Sequence, residues 1–314
     1  MGSFLESIYP IIDTAKEVRI NEDALLEFCK GFVGLESSFK PLFKKKILDL
    51  NDTIQLDFIY NAVNFCYWPE PRWTVQYQDK PIHGAYAMKA AVDRALEEGF
   101  PLLDSSYIET ISKKDFTQIT RGNGTLPLFE ERLAFLHEVG YVLNKNYAGK
   151  AINVVEKANG DAVQLVTEIA ANIQGYDDSV NYGGVRVLFH KRAQLVADNV
   201  DKALRKNRKS LSSTNSLTAL ADYKVPQILR DKGILEYSPN LAAHIESRTP
   251  ILARSQRELE IRAFTLEACE RITRVLQKKI PDLKTIDLDH YLYHESKKPN
   301  PASKPYHRTW TTAY

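Results

Sequence analysis

Apolar residues return every three to four positions through "EDALLEFCKGFVGL" (22–35), Leu128 to Tyr147, "DAVQLVTEIAANI" (161–173), "KRAQLVADNVDKALRK" (191–206) and "QRELEIRAFTLEACERITRVLQKKI" (256–280). That spacing puts one buried stripe on each helix and predicts a mostly helical protein. A different rhythm runs through "RWTVQYQDKPIHGAYAM", where Trp73, Val75 and Tyr77 alternate with polar residues ahead of an Asp-Lys-Pro turn. Alternation of this kind predicts one small hairpin. Helical spacing resumes in "AYAMKAAVDRALEEG" and is closed by Gly99. The breaks at 121–127, 205–216 and 294–305 are short, and none calls for a separate domain.

Composition narrows the classes. The chain has 314 residues, 44% of them hydrophobic and 26% charged, enough for one large or two modest cores. Lys plus Arg (42) nearly balance Asp plus Glu (40), leaving a net charge of +2. That supplies no broad positive field of the kind a long polyanion selects, while a small anion in a local pocket stays open. Cys29, Cys66 and Cys269 are odd in number, far apart and in no CxxC pattern, so they read as reduced thiols of a cytosolic protein. The start, "MGSFLESIYPIIDTAKEV", lacks a basic stretch followed by an apolar core, and no run approaches the about 18 apolar residues of a membrane helix. No membrane partner is expected.

The signatures GxGxxG, GxxxxGK[ST], HExxH and GxSxG are missing, which leaves isolated polar residues in apolar settings. In "SLTALADYKVPQIL", Asp222 precedes a helix start with Pro226 in the first turn. Such an aspartate is most simply an N-cap. The same placement holds a carboxylate ionised beside backbone donors, as a cationic transition state requires, so the two readings coexist. Upstream, "NYGGVRVLFHKRAQL" predicts a Gly-Gly turn, a short β-like run and a helix from near His190. Lys191 and Arg192 in its first turn oppose the helix dipole. In "TIDLDHYLYHES" the acids, tyrosines and histidines fit no metal-ligand spacing; hydrogen bonding and stacking to a polar aromatic ligand fit better. Trp68 reads as core or pocket wall, and "KPYHRTWTTAY" as a docked tail with a phosphate contact.

Eight blocks, "LDFIYNAVNFCYWPEP", "ALEEGFPLLDSSYI", "LPLFEERLAFLHEVG", "VLFHKRAQLVAD", "SLTALADYKVPQIL", "LEIRAFTLEACE", "LDHYLYH" and "PYHRTW", run in order from about Leu56 to Tyr314 and resemble the queuosine salvage protein family. The resemblance implies a mainly α fold similar to the helix-hairpin-helix DNA glycosylases, with a small β-hairpin, as one domain over 1–314 divisible at about 125. It implies hydrolysis of the N-glycosidic bond of queuosine 5′-phosphate, without metal or cofactor, in the cytoplasm. The catalytic aspartate falls on Asp222. Base recognition falls on Asp289, with Tyr293 and Trp68 stacking, and the 5′-phosphate on Lys191, Arg186, His307 or Arg308. Lys191 stands roughly where lyase-type DNA glycosylases carry a Schiff-base lysine, but this family is hydrolytic, so no covalent role is carried over. Where DNA glycosylases have a Gly-x-Gly hairpin gripping a DNA phosphate, this chain has "YGGVRVLF", so no polymeric nucleic-acid partner is expected. Two other readings stay open: a non-catalytic binder of RNA or a modified nucleoside, and a base-excision glycosylase acting on a polymer.

Overall fold

The computed structural model describes residues 3–35, 48–77 and 80–314. Among these residues there are fourteen α-helices and three antiparallel strand pairs. Helices Glu22–Gly31, Ala85–Glu97, Phe129–Tyr147, Ala162–Asn172, Lys191–Arg205 and Gln256–Leu276 lie where the apolar stripes place them. Three are started by side chains: Asn21, Asp161 and Ser255 each accept the backbone N–H three residues on. Gly99, at φ 87°, turns the chain out of its helix in the left-handed region. Helix Leu50–Ala62 has no apolar stripe, because Ile54, Gln55, Phe58, Ile59 and Asn61 are all buried and every face is covered.

The predicted hairpin pairs Thr74–Tyr77 with Lys80–His83. Lys80 and Pro81 of the expected Asp-Lys-Pro turn already belong to the second strand, and Asp79 lies outside the described residues. A second hairpin pairs Ser179–Tyr182 with Val185–Leu188 around Gly183 and Gly184, whose φ values of 57° and 83° suit the turn. The third pair, unforeseen, joins Val18–Ile20 to Leu235–Tyr237.

Two apolar clusters dominate the core. One includes Phe58, Val139, Leu165 and Val196. The other joins Leu25 from the N-terminal segment to Leu229, Ile261, Ile272, Leu288 and Leu292. Burying each such side chain contributes about 1.5–3 kcal/mol. From residue 299 onward the chain runs without helix or strand and straps the molecule together. The Lys304 amide donates to Asp231 Oδ1 at 2.8 Å, the Ile251 amide to the Arg308 carbonyl at 2.7 Å and the Cys66 amide to the Tyr314 carbonyl at 2.8 Å. No helix of the described residues is long and apolar enough to cross a membrane.

Candidate active site

Asp222 stands at the mouth of helix Lys224–Asp231. By backbone geometry the N-cap is Tyr223, which offers no side-chain bond. Asp222, one residue earlier, does the capping: its Oδ1 accepts the Lys224 amide at 2.6 Å and the Val225 amide at 3.0 Å. Pro226 follows where its missing N–H costs nothing. Asp222 is 8% exposed and lines a cavity of about 570 Å³.

Helix Thr285–Glu295 forms a second wall, presenting Asp289, His290, Tyr293 and His294 to the same cavity. Residues four apart share a face, which brings Asp289 over Tyr293 and His290 over His294. Asp289 is buried, with Oδ1 accepting the Leu220 amide at 2.8 Å. Burial pushes its acid up to about 7; His290 opposes that rise and the nearby Asp222 charge adds to it. His290 Nε2 is 2.8 Å from Asp198 Oδ2, a buried carboxylate that also pairs with Lys202. Lys191 completes this part of the site from the first position of its helix. Burial lowers its pKa, and the charges of Asp222 and Asp289 work against that fall.

The same cavity also gathers cations from three distant segments. Arg72, Lys224 and Lys297 line it together with His83, Tyr223 and Tyr306. Tyr223 and Tyr306 pack with ring centroids 4.9 Å apart, the Lys224 ammonium sits 4.9 Å over the Tyr306 ring, and Arg72 donates to the Tyr306 hydroxyl at 3.4 Å. Lys297 lies 4.5 Å over the Tyr293 ring. Burial, then repulsion by Lys224 and Arg72, pushes Lys297 down to about 8, with Asp222 pulling the other way. Arg72 is paired with Glu70 at 2.9 Å, and a dianion among these groups would add counter-charge against the repulsion between Lys224, Lys297 and Arg72.

Of the residues singled out from sequence, Asp222, Asp289, Tyr293 and Lys191 come together, while Trp68, Arg186, His307 and Arg308 do not line the cavity. Trp68 is buried, donates to the Thr309 carbonyl at 2.8 Å and packs on Trp310, so it anchors the tail. Arg308 lies over the Trp68 ring at 5.6 Å. Arg186, on an exposed strand, is occupied by Asp177 at 2.9 Å and Ser179 at 3.0 Å. His307 is buried against Tyr314, and burial followed by the Arg262 charge pushes its pKa down to about 3, so it carries no charge for a phosphate at neutral pH. Lys191 lines the cavity under the charges of both Asp222 and Asp289. Arg72, Lys224 and Lys297 were not singled out from sequence, since nothing in their spacing announces that three separate segments converge.

A buried, backbone-fixed carboxylate, a second acid nearby and a set of cations suit an enzyme that handles a small, anionic, aromatic molecule. The chain belongs to the queuosine salvage protein family, which matches residues 44–314. It is 34% identical over 308 residues to a protein of Sphaerobacter thermophilus, covering 97% of this chain and 95% of that one. It is 32% identical over 325 residues to one of Mus musculus, covering 97% and 96%. Both are named queuosine 5′-phosphate N-glycosylase/hydrolase, as is a Dictyostelium discoideum relative 28% identical over 326 residues, covering 96% and 95%.

Proposed function

We propose that this chain hydrolyses the N-glycosidic bond of queuosine 5′-phosphate, releasing queuine and ribose 5-phosphate. The observation that carries the reading is Asp222, a carboxylate held by two backbone amides on the wall of a cavity. As the bond between the anomeric carbon and the base nitrogen stretches, its electron pair leaves with the base and positive charge builds on the ribose. Asp222 stabilises that charge, orients the water whose oxygen bonds to the anomeric carbon, and takes the water's proton. Queuine is a 7-deazaguanine with no N7 to protonate, so it departs as an anion; the proton that Asp222 takes from the water then passes through solvent to the freed base nitrogen, leaving neutral queuine and an ionised Asp222.

Asp289 accepts from the amino and ring N–H donors of the base, and Tyr293 stacks on it. Lys191, beside both carboxylates, contributes charge and hydrogen-bond donors at the sugar and takes no covalent role. Arg72, Lys224 and Lys297 hold the 5′-phosphate. We read the frame as one of the helix-hairpin-helix glycosylase kind; the reading is supported by hairpin Ser179–Leu188 preceding helix Lys191–Arg205 and by Asp222 standing ahead of a later short helix. Residues 1–314 act as one domain, working in the cytoplasm on a small molecule; the net charge of +2 disfavours a polymeric nucleic acid.

The test is incubation with queuosine 5′-phosphate followed by mass spectrometry. Free queuine and ribose 5-phosphate in equal amounts support the reading. Unchanged substrate that nonetheless binds would make the protein a nucleotide-binding protein, with Asp222 a helix cap alone.

A further inference from the structure

Helix Lys191–Arg205 starts against the ordinary rules. His190, its N-cap, makes no side-chain bond and sits at φ 43°, a left-handed conformation that is costly for a residue with a Cβ. Lys191 and Arg192 then bring positive charge to the positive end of the dipole. Asp178 answers each of these defects. The Phe189 and His190 amides both donate to its carbonyl, at 3.1 and 3.2 Å, and the Lys191 amide reaches its carboxylate at 3.4 Å. Three successive N–H groups thus end on one residue, whose negative charge stands where the first turn lacks one.

Asp178 is itself gripped. Both terminal nitrogens of the Arg262 guanidinium, a side chain 3% exposed, donate to its carboxylate oxygens, one of them at 2.9 Å. Glu258 sits 3.7 Å from Arg262 and accepts the Tyr314 hydroxyl at 2.9 Å, tying the grip to the tail. On the other side, Arg192 donates to the carbonyls of Asn61 at 2.9 Å, Ala62 at 3.0 Å and Gly175. The first turn is clamped from both flanks, with Lys191 delivered to the cavity between the clamps.

We propose that Asp178, held by Arg262, is a positioning residue: it fixes the strained start of this helix so that Lys191 enters the cavity beside Asp222 and Asp289. The proposal rests on the reading of that cavity as a glycoside-hydrolysing site to which Lys191 contributes. The experiment is a double-mutant cycle on the full chain with queuosine 5′-phosphate, using Asp178→Asn, Lys191→Gln and the two combined. Asp178→Asn is expected to lower kcat by roughly ten- to a hundredfold with KM within about twofold. In the Lys191→Gln background it should cost less than about twofold more, because the residue through which it acts is already gone. Losses that multiply in the double variant, or a folded Asp178→Asn with wild-type kcat, would overturn it. Arg262→Lys, which keeps the charge and loses the fork, is put through the same cycle and decides the matter where Asp178→Asn does not fold. A wild-type chain that releases no queuine would instead sink the reading of the cavity, a result distinct from multiplying losses.

Discussion

Asp222 accepts the Lys224 amide at 2.6 Å, so the carboxylate that faces the cavity is also the one that caps the neighbouring helix. Asparagine caps a helix as well as aspartate but has no charge to offer a cationic transition state. Asp222→Asn should therefore unfold at the wild-type temperature while kcat for queuine release falls by a factor on the order of 10² or more. Asp222→Ala should lose the activity and about 1 kcal/mol of stability as well. A folded Asp222→Asn within a few fold of wild type would remove Asp222 from the chemistry.

The cations of the cavity predict which residues sense the phosphate. Removing one charge-assisted hydrogen bond costs about 1.5–3 kcal/mol, so Arg72→Gln and Lys297→Gln should each raise KM for queuosine 5′-phosphate by at least about tenfold. Hydrolysis of unphosphorylated queuosine should change by less than about twofold. Arg186→Gln and Arg308→Gln serve as comparisons and should leave KM unaltered. Equal losses on both substrates in the first pair would move the phosphate elsewhere.

Asp289 and Lys297 set the two limbs of the pH dependence, and Lys191 and Lys224, both lowered by burial, add to the alkaline one. Asp289 titrates at about 7 and must be ionised to accept from the base, so kcat/KM should rise as pH climbs through about 7. Lys297 titrates at about 8 and must be charged to hold the phosphate, so kcat/KM should fall above about 8. The expected profile is a narrow bell. Asp289→Asn should flatten its acid limb and Lys297→Gln its alkaline limb, both read from initial rates across roughly pH 5.5–9.5, about one and a half units beyond either limb.

His307 makes a stability prediction rather than a binding one. Its folded pKa of about 3 lies far below the 6.5 of an exposed imidazole. Below 6.5 the unfolded chain takes up a proton that the folded chain refuses, so stability drains away as pH falls from 6.5 toward about 3. His307→Gln should lessen that slope, cost about 1–3 kcal/mol at pH 7 in chemical denaturation and leave KM for the phosphorylated substrate unchanged. A raised KM with unaltered stability would return His307 to the binding site.

Helices with one apolar stripe, such as Glu22–Gly31, were legible because the rest of their surface faces water. Leu50–Ala62 was not, since burial on every face erases the periodicity. Pairing of Val18–Ile20 with Leu235–Tyr237 leaves no local mark in strands of three residues each. Within the site, Asp222 was visible as a local conflict, a charge in an apolar run, and Asp289 with Tyr293 as neighbours on one helix. Lys224 and Lys297 look like ordinary surface lysines until the fold brings them beside Arg72. His307 and Arg308 drew notice because aromatics surround them, but those rings pack the tail.

The strand that pairs Val18–Ile20 with Leu235–Tyr237 also sets a timetable for synthesis. More than two hundred residues separate the partners. At a ribosomal rate of about 5–20 residues per second, the N-terminal segment waits roughly ten to forty seconds for its mate. Throughout that interval the apolar side of Glu22–Gly31, with Leu25 and Cys29, has no surface to close against. The nascent chain thus passes through a stage in which this early-made helix depends on chaperones or on its own charged flanks to stay unaggregated.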